Sequence, residues 1–447
     1  MRVIVIGGGI AGLAAAWTLR EHGAEVVILE KEADVGGRCR SFAWNGFYLN
    51  RGAEAFIGSE ENLIEMARKL GIYESKPHID VLDTSPRFHL LYKKRELVTF
   101  DNFEIQDALK TSIIPLTEKL ALGRVLPRLA RQLASGDPRD PVSAADYDDV
   151  NACDYFRDYS PEFVNYFLEP NLSFFCGYGE EDFSLAWLLW LLGSRLTWGA
   201  NRWWTFTERG VGQLTYSLGE HFMRESGTEL RVRAAVQQLR CYDDHVEVDV
   251  MKDRSIETLR ADAAIMTVPG TLVNGLVPGL DKARCDFFAG VSYSGHHNAW
   301  YLLDRPIGGL PQVPFILLPT ADGFDCICDV SFIDTGRGHT LVRAQWKNRR
   351  CKETQAWSSG EILDDGWRDI VVAYPELCDA VCVDRTIERS DLAIARRPAG
   401  YLRALKGFRA LGPLPRVAFA GDYLVNSTLG QSHWSGTQAA QELISEL

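Results

Sequence analysis

The sequence predicts an α/β fold in which a domain built on a parallel sheet is interleaved along the chain with an α+β domain. Three observations support this interpretation. The N-terminus has the order strand, glycine turn, helix, strand, and the C-terminal segment has the order strand, turn, helix. The chain also has 447 residues, which is too long for one compact core and is typical of two domains.

The first strand and the turn after it have the pattern of a dinucleotide-binding site. Residues 3–6 are a β-branched run that predicts a buried strand, and residues 10–20 have helical periodicity. Between them the chain has the G-x-G-x-x-G spacing, at Gly7, Gly9 and Gly12. These glycines allow a tight turn, a close approach of the backbone to a pyrophosphate, and close packing of the helix on the strand.

Two further features of this segment complete the pattern. The helix N-terminus, at Ile10 and Ala11, offers backbone N–H groups and a partial positive charge to the phosphates. The second strand, residues 25–30, ends at Glu30, where an acid accepts hydrogen bonds from a ribose 2′-OH and disfavours a 2′-phosphate. We therefore predict that Glu30 and the adjacent Lys31 contact the nucleotide.

A second glycine pair follows the acid. The chain reads EKEADVGGRCRS from Glu30 to Ser41. This resembles the shared signature of the FAD-binding flavoproteins that include amine oxidases, protoporphyrinogen oxidases and phytoene desaturases. The resemblance implies a glutathione-reductase-type Rossmann domain that binds FAD. In it, Gly36 and Gly37 let the chain pass close to the cofactor, and Arg38 places a guanidinium beside phosphate or flavin.

The resemblance extends to two later segments. Val236 matches the family position whose backbone contacts the adenine end of FAD. Gly421 and Asp422 end the last strand, and Asp422 would accept a hydrogen bond from the ribityl or phosphate side. This segment has no cysteine, so we expect FAD to be bound noncovalently. The helix after the strand would supply N–H groups to the flavin from Thr428, Leu429 and Gly430.

These cofactor segments predict how the chain divides into domains. The FAD-binding domain would comprise residues 1–75, 205–270 and 411–447, and the substrate-binding domain residues 76–204 and 271–410. The substrate segments contain an aromatic and aliphatic run, LAWLLWLL, which predicts a buried helix. A wall of an apolar cavity or a membrane-contacting face stays an alternative for this run, which is too short to span a bilayer.

The substrate segments leave the reaction partly open. The resemblance implies an oxidoreductase that moves hydride from a substrate C–H bond to flavin N5, with O₂ or another electron acceptor reoxidising the cofactor. Many amine oxidases have a lysine near N5 in the strand that matches SYSGHHNAWYLL, and this chain has none there. The absence favours a protoporphyrinogen oxidase-like or desaturase-like enzyme for a bulky, apolar or conjugated substrate, in biosynthesis of a tetrapyrrole or secondary metabolite. An amine oxidase acting on a C–N bond of a biosynthetic amine and a flavin-dependent isomerase remain alternatives.

Several side chains are candidates for the reaction site. Histidine titrates near neutral pH, and the candidate bases are His296, His297 and His433. A hydrogen-bonded structural pair is the alternative for the first two. Aromatic side chains could line a substrate pocket, and the candidates are Trp203, Trp204 and Trp434.

Composition excludes several other classes. The net charge of −12, with no long basic run, argues against a nucleic-acid partner. No stretch reaches the ~18 apolar residues of a transmembrane helix, although a peripheral membrane contact stays open. The ten cysteines form no C-x-x-C pair and no paired-histidine spacing accompanies them, so we expect neither a metal site nor a disulfide framework. The first strand begins at once, with no signal peptide before it, which predicts a cytoplasmic protein.

Overall fold

The structure is a computed structural model that describes residues 1–57, 60–73, 79–82, 87–101, 110–135, 137, 140–178, 182–198, 203–206, 208–252 and 255–446. Its strands are β1 (Arg2–Ile6), β2 (Glu25–Leu29), β3 (Ser41–Trp44), β4 (Phe47–Asn50), β5 (Phe56–Ile57), β6 (Ile79–Leu82), β7 (Arg87–Tyr92), β8 (Glu96–Asp101), β9 (Trp203–Phe206), β10 (Thr228–Arg231), β11 (Ala235–Cys241), β12 (Val246–Lys252), β13 (Ser255–Ala261), β14 (Ala263–Met266), β15 (Tyr293–Leu303), β16 (Ile316–Leu317), β17 (Ile327–Asp334), β18 (Thr340–Trp346), β19 (Cys382–Ala395) and β20 (Val417–Phe419). Its α-helices are α1 (Ile10–Glu21), α2 (Glu61–Lys69), α3 (Leu116–Ser135), α4 (Ala152–Arg157), α5 (Pro161–Phe163), α6 (Glu169–Cys176), α7 (Leu185–Trp198), α8 (Gly212–Arg224), α9 (Val273–Leu276), α10 (Lys282–Gly290), α11 (Asn348–Glu353), α12 (Ser359–Ala373), α13 (Tyr401–Ala410) and α14 (Leu429–Glu446).

The chain forms two compact units, and each unit is assembled from separate segments. The first unit comprises Met1–Thr84, Asn201–Ser292 and Ala404–Leu447, and the second comprises Ser85–Ala200 and Tyr293–Arg403. The assignment of the first unit to the cofactor and of the second to the substrate stays a prediction. No helix in the described part of the chain is long and apolar enough to cross a bilayer.

The first unit is built on a five-stranded parallel sheet with the order β10-β2-β1-β14-β20. Its central strand is covered on both faces, since Val3, Ile4, Val5 and Ile6 are at most 2% exposed. A strand buried in this way needs a continuous apolar run, and RVIVI supplies it. The predicted α/β fold with a Rossmann-type parallel sheet is confirmed.

Two helices from the opposite ends of the chain pack tightly in this unit. Helix α1 is rich in alanine, so α14 can approach its backbone closely. A Cβ added at Gly436 of α14 would lie 1.9 Å from the carbonyl oxygen of Ala11, which no real side chain tolerates. The C-terminal helix is therefore fitted to the first turn of α1, the turn that the sequence predicts to face a pyrophosphate.

The second unit is built on a seven-stranded sheet with the order β19-β15-β18-β17-β16-β7-β8. Its pairs are antiparallel except for β16 with β7. One face, which carries Ala299, Tyr301 and Trp346, joins Ile362 and Ile370 of α12 in an apolar core. A second apolar cluster packs α7 against α3 and α4. The predicted interleaved α+β region is thus confirmed as a separate sheet-and-helix unit.

Candidate cofactor site

The glycine turn after β1 has the tight geometry that its spacing predicts. Gly7 has a φ of 111°, which favours glycine. A Cβ at Gly12 would lie 2.0 Å from the carbonyl oxygen of Gly7, so helix and strand meet without room for a side chain. The Thr267 hydroxyl donates to the carbonyl oxygens of Ile6 and Gly7 at 2.9 and 3.0 Å, and this holds the turn against β14.

The N-terminus of α1 offers unsatisfied hydrogen-bond donors. Gly9 is the N-cap and makes no side-chain capping hydrogen bond. In the described part of the chain nothing accepts from the backbone N–H groups of Ile10, Ala11 and Gly12, although all three residues are buried. Buried donors of this kind are nearly always paired, so these groups point to a ligand. A Cβ at Gly9 would meet no atom of the described residues within 4 Å, so there is open space in front of the turn.

Glu30 lies at the end of β2, beside the same turn. Its carboxylate is buried and accepts from the backbone N–H of Gly8 at 2.7 Å and of Glu32 at 2.9 Å. A carboxylate has about four acceptor positions, so two remain for ribose hydroxyls. Lys31 is exposed, and its Nζ lies 3.7 Å from the Glu32 carboxylate.

The second glycine pair joins the first. The Gly36 N–H donates to the Gly8 carbonyl oxygen at 2.7 Å, and Gly9 and Gly36 form an isolated parallel bridge. Gly36 and Gly37 have φ values of 112° and 54°, which only glycine adopts readily. The two glycine segments therefore form one cradle of bare backbone.

Arg38 contacts a residue from the far end of the chain. Its guanidinium donates two hydrogen bonds to the carboxylate of Asp422, with lengths of 2.7 and 2.9 Å. Asp422 is buried and also accepts from the Ser427 hydroxyl at 3.3 Å. Both residues are predicted to contact FAD, and the structure brings them together in a bidentate ion pair, which is a strong and directional contact. Sequence spacing gives no sign of this pair.

The turn that leads into α14 follows β20, the last strand of the parallel sheet along the chain. Gly421 has a φ of 149°, and a Cβ there would lie 2.7 Å from the Tyr423 ring. The Thr428 hydroxyl accepts from the Gln431 N–H at 3.2 Å and so caps the helix. Among the described residues nothing accepts from the N–H groups of Thr428 and Leu429.

Gly430 is the exception among the three predicted donors of this turn. Its N–H donates to the Glu60 carboxylate at 2.8 Å, so this donor is already engaged. Val236, predicted to contact the adenine end of FAD, lies in β11, paired with Val250 and next to a β-bulge.

The candidate histidines divide between the two units, and burial lowers the pKa of each. His296 and His297 lie on β15, and His433 lies on α14. Burial, with smaller effects from Arg343 and the neighbouring histidine, lowers the pKa of His296 to about 3, and burial lowers those of His297 and His433 to about 4. All three rings are therefore neutral at physiological pH, and their low pKa values make each a weak base for abstracting a proton.

The two strand histidines face opposite sides of the sheet. His296 is on the polar face with Asn298, whose register partner is Gln345. His297 is on the apolar face beside Trp346, with ring centroids 6.3 Å apart. Both ring nitrogens of His297 are buried, and none of the described residues forms a hydrogen bond with them. His297 thus occupies a core position.

His433 is a residue of α14, and its ring lies against Asn62 of α2. The Asn62 Nδ2 donates to the Gly430 carbonyl oxygen at 2.7 Å and lies 3.1 Å from His433 Nδ1. Since Nδ2 is a donor, Nδ1 accepts, and the proton of the neutral ring sits on Nε2. Nε2 is buried and has no partner among the described residues.

The three candidate tryptophans do not share one environment. Trp204 is 4% exposed and stacks on Phe56 at 4.4 Å, inside the core of the first unit. Trp434 is 41% exposed on α14. Trp203 belongs to β9, and its side chain lies outside the described residues. Trp204 therefore packs in an apolar core, and the pocket role of the three tryptophans stays a prediction.

A buried polar network on the second unit's sheet was not predicted from the sequence. Arg343 donates to Asp329 at 2.8 Å, and their side chains are 6% and 0% exposed. Gln345, with its amide oriented to satisfy its neighbours, donates to Asp329 at 3.1 Å and accepts from Arg343. All of these strand residues are buried, so no alternation of buried and exposed positions reveals which face they occupy.

The cradle fits a dinucleotide. It combines open space at Gly9, buried N–H donors at α1, a buried acid at Glu30, and further unpaired N–H groups at Thr428 and Leu429 in the described part of the chain. A pyrophosphate is the anion that such a helix N-terminus binds, and the acid suits a ribose with a bare 2′-OH.

Comparison with known proteins places the chain in a family. The profile of the family described as flavin containing amine oxidoreductase matches residues 10–444, and the chain belongs to this family. The predicted superfamily of amine oxidases, protoporphyrinogen oxidases and desaturases is confirmed, and its members are flavin-dependent oxidoreductases.

Individual relatives differ in how much of the chain they match. Mitochondrial protoporphyrinogen oxidase of Nicotiana tabacum is 28% identical over 189 residues, which span 40% of this chain and 33% of that relative. The carotenoid phi-ring synthase of Streptomyces griseus is 24% identical over 447 residues, 94% of this chain and 82% of the relative. Among solved structures, cyclohexylamine oxidase of Brevibacterium oxydans IH-35A has a TM-score of 0.76 at 15% identity, covering 100% of this chain and 99% of that one.

Proposed function

We propose that the protein is an FAD-dependent oxidoreductase that binds FAD noncovalently in the cradle of the first unit. The observation that carries the proposal is the uncapped N-terminus of α1, where the N–H groups of buried residues have no acceptor in the described part of the chain and adjoin the open space at Gly9. These donors would bind the pyrophosphate, and Glu30 would accept from the adenosine ribose. The absence of cysteine from the C-terminal segment supports noncovalent binding.

The residues at the other end of the cradle would orient the flavin. Arg38 holds the Asp422 carboxylate in place with two hydrogen bonds, and this carboxylate would accept from the ribityl or phosphate side of FAD. The N–H groups of Thr428 and Leu429 would face the pyrimidine edge, where the helix N-terminus favours negative charge. Bound FAD supplies the hydride acceptor for the reaction.

The substrate we propose is bulky and apolar or conjugated, as for a protoporphyrinogen oxidase or a desaturase, in biosynthesis of a tetrapyrrole or secondary metabolite. Strand β15 has no lysine along YSGHHNAWYLL, which argues against lysine-assisted amine oxidation. The similarity to protoporphyrinogen oxidase and to a carotenoid enzyme supports this choice. The proposed electron acceptor is O₂ or another electron acceptor, and the cytoplasmic location stays a prediction.

Amine oxidation is the second candidate. The buried polar network of Asp329, Arg343, Gln345 and Asn298 favours it, because such a face can hydrogen-bond a substrate with a polar group. An isomerase without net redox is the third. Because burial lowers the pKa values of His296, His297 and His433 and so makes them weak bases, they are poorer candidates for the catalytic base than the sequence alone indicates.

The cofactor proposal is tested by filling the open space at Gly9. Gly9→Ala places a methyl group where the pyrophosphate would lie, so we expect the dissociation constant for FAD to rise at least tenfold. The apoprotein should lose no more than about 1 kcal/mol of unfolding free energy, the difference between glycine and alanine at an N-cap. Gly407→Ala, also in open space but on α13, is the matched control. Undiminished FAD binding by Gly9→Ala would contradict the site.

The substrate proposal is tested by anaerobic titration. The holoprotein is mixed with a porphyrinogen, a polyene or an amine, and the flavin absorbance near 450 nm is followed. Bleaching by the porphyrinogen or polyene supports the first candidate, and bleaching by an amine alone supports the second. Substrate conversion without bleaching, and without reduction of an artificial acceptor, would identify the isomerase.

A further inference from the structure

The first turn of α14 is held by two polar side chains from the start of α2. Glu60 accepts from the Gly430 N–H at 2.8 Å, and Asn62 donates to the Gly430 carbonyl oxygen at 2.7 Å. One residue of α14 therefore has both of its backbone polar groups bound by residues 60 and 62. We call this arrangement the Gly430 clamp.

The Gly430 clamp leaves no room for a side chain at residue 430. A Cβ at Gly430 would lie 2.6 Å from both Cδ and Cγ of Glu60, so the glutamate side chain lies flat across the glycine. Asn62 in turn contacts His433, one turn further along α14, at 3.1 Å. Because three separate contacts depend on this packing, the position of the Glu60 carboxylate is built into the fold.

The carboxylate changes the electrostatics of this helix end. The N-terminus of an 18-residue helix carries a partial positive charge of roughly half an elementary charge. A carboxylate bound to its second N–H is stabilised by that charge and more than cancels it at short range. A ligand at Thr428 and Leu429 can therefore accept hydrogen bonds from their N–H groups. The electrostatic potential there is less positive than at a helix N-terminus without a carboxylate.

We propose that Glu60 sets the reduction potential of the bound flavin by opposing the negative charge that reduction creates. The inference rests on the proposed function, which puts the flavin at the N-terminus of α14. Uptake of two electrons and one proton leaves the reduced flavin with one negative charge, which the helix N–H groups stabilise and Glu60 destabilises. Glu60 acts through the helix turn that it holds, and it lowers the potential so that electrons leave the flavin readily for the acceptor.

The test compares two glutamates that are adjacent in sequence. Glu60→Gln keeps an oxygen for the Gly430 N–H and removes the charge. Glu61→Gln removes the same charge from an exposed position in the first turn of α2. The potential of each holoprotein is measured at pH 7 against a reference dye, together with FAD affinity and unfolding.

Glu60→Gln should shift the two-electron equilibrium at least tenfold toward reduced flavin, or about 30 mV, and Glu61→Gln should shift it less than twofold. FAD affinity should stay within threefold. Equal shifts in both variants, or none in Glu60→Gln, would overturn the inference while leaving the cofactor site intact. A large gain in FAD affinity without a change in potential would also overturn it, because Glu60 would then be competing with the flavin. Failure of the wild type to bind FAD would instead refute the proposed function itself, and the inference with it.

Discussion

The substitution Gly436→Ala should push α14 away from α1, with which it is in close contact. The added Cβ would lie 1.9 Å from the Ala11 carbonyl oxygen and 2.7 Å from its carbonyl carbon. Both are backbone atoms of α1, so no side-chain rotation relieves the overlap. Reaching even the 3.0 Å lower limit of real Cβ contacts requires α14 to move by 3.0 − 1.9, or 1.1 Å.

The energetic cost follows from that displacement. Overpacking of a tight contact costs about 1–3 kcal/mol, and occasionally more, because close-packed neighbours lose their contacts as they separate. Replacing glycine by alanine inside a helix by itself contributes the opposite sign, about 0.5–1 kcal/mol of stabilisation. Gly407→Ala on α13 isolates this second effect, since its Cβ meets nothing within 4 Å.

Urea unfolding of the two apoproteins gives the comparison. We expect Gly407→Ala to be slightly more stable than the wild type and to exceed Gly436→Ala by about 1–3 kcal/mol, because the helix-propensity gain is common to both variants and cancels. Because the moved helix presses on the first turn of α1, FAD affinity should fall only in Gly436→Ala. Equal stability of the two variants would refute the close approach of α14 to α1.

Three further predictions concern the second unit and the buried histidines. Arg343→Met removes the guanidinium that pairs with the Asp329 carboxylate, which is 0% exposed, so urea unfolding should show a loss of about 3–5 kcal/mol of unfolding free energy. The double variant that also carries Asp329→Leu should recover most of this loss. An equal loss in the double variant would contradict the pairing. His297→Leu removes two buried ring nitrogens that have no partner among the described residues. The unfolding free energy at pH 7 should therefore be unchanged or rise by about 1–2 kcal/mol. A clear loss would show that the ring is hydrogen-bonded. Burial lowers the pKa values of His296, His297 and His433 from the usual 6.5 to about 3, 4 and 4. Between pH 6.5 and pH 4 the unfolded chain therefore binds more protons than the folded chain, and the unfolding free energy should fall as the pH decreases through that window. Urea denaturation midpoints in this range should drop less steeply in His297→Leu than in the wild type.

The sequence was most informative where a residue's role is local. Gly7, Gly12 and Gly36 are needed because of a positive φ or a backbone contact a few residues away, and the spacing alone indicates this. Glu30 is likewise placed by the end of its own strand. These positions could be assigned without knowing the rest of the fold.

The sequence was least informative where distant segments meet. Arg38 and Asp422 are 384 positions apart, and Glu60 and Gly430 are 370 apart. No local periodicity relates such residues, so the sequence predicted ligand contacts for Arg38, Asp422 and Gly430 but not their protein partners. The environments of the histidine pair could not be predicted for another reason. Adjacent His296 and His297 point to opposite faces of β15, and because every residue of this strand is buried, no pattern in the sequence distinguishes the two faces.

The parallel sheet of the first unit has a consequence for biosynthesis of the protein. Its strands β1 and β2 are synthesised before β10 and β14, which in turn precede β20 and α14. Until β20 and α14 have been synthesised, β14 has an open edge and α1 lacks the helix that covers it. Such long-range pairings form slowly and expose apolar surface in the meantime. The nascent chain should therefore need protection from aggregation until these segments are made, and cofactor loading should follow the synthesis of α14.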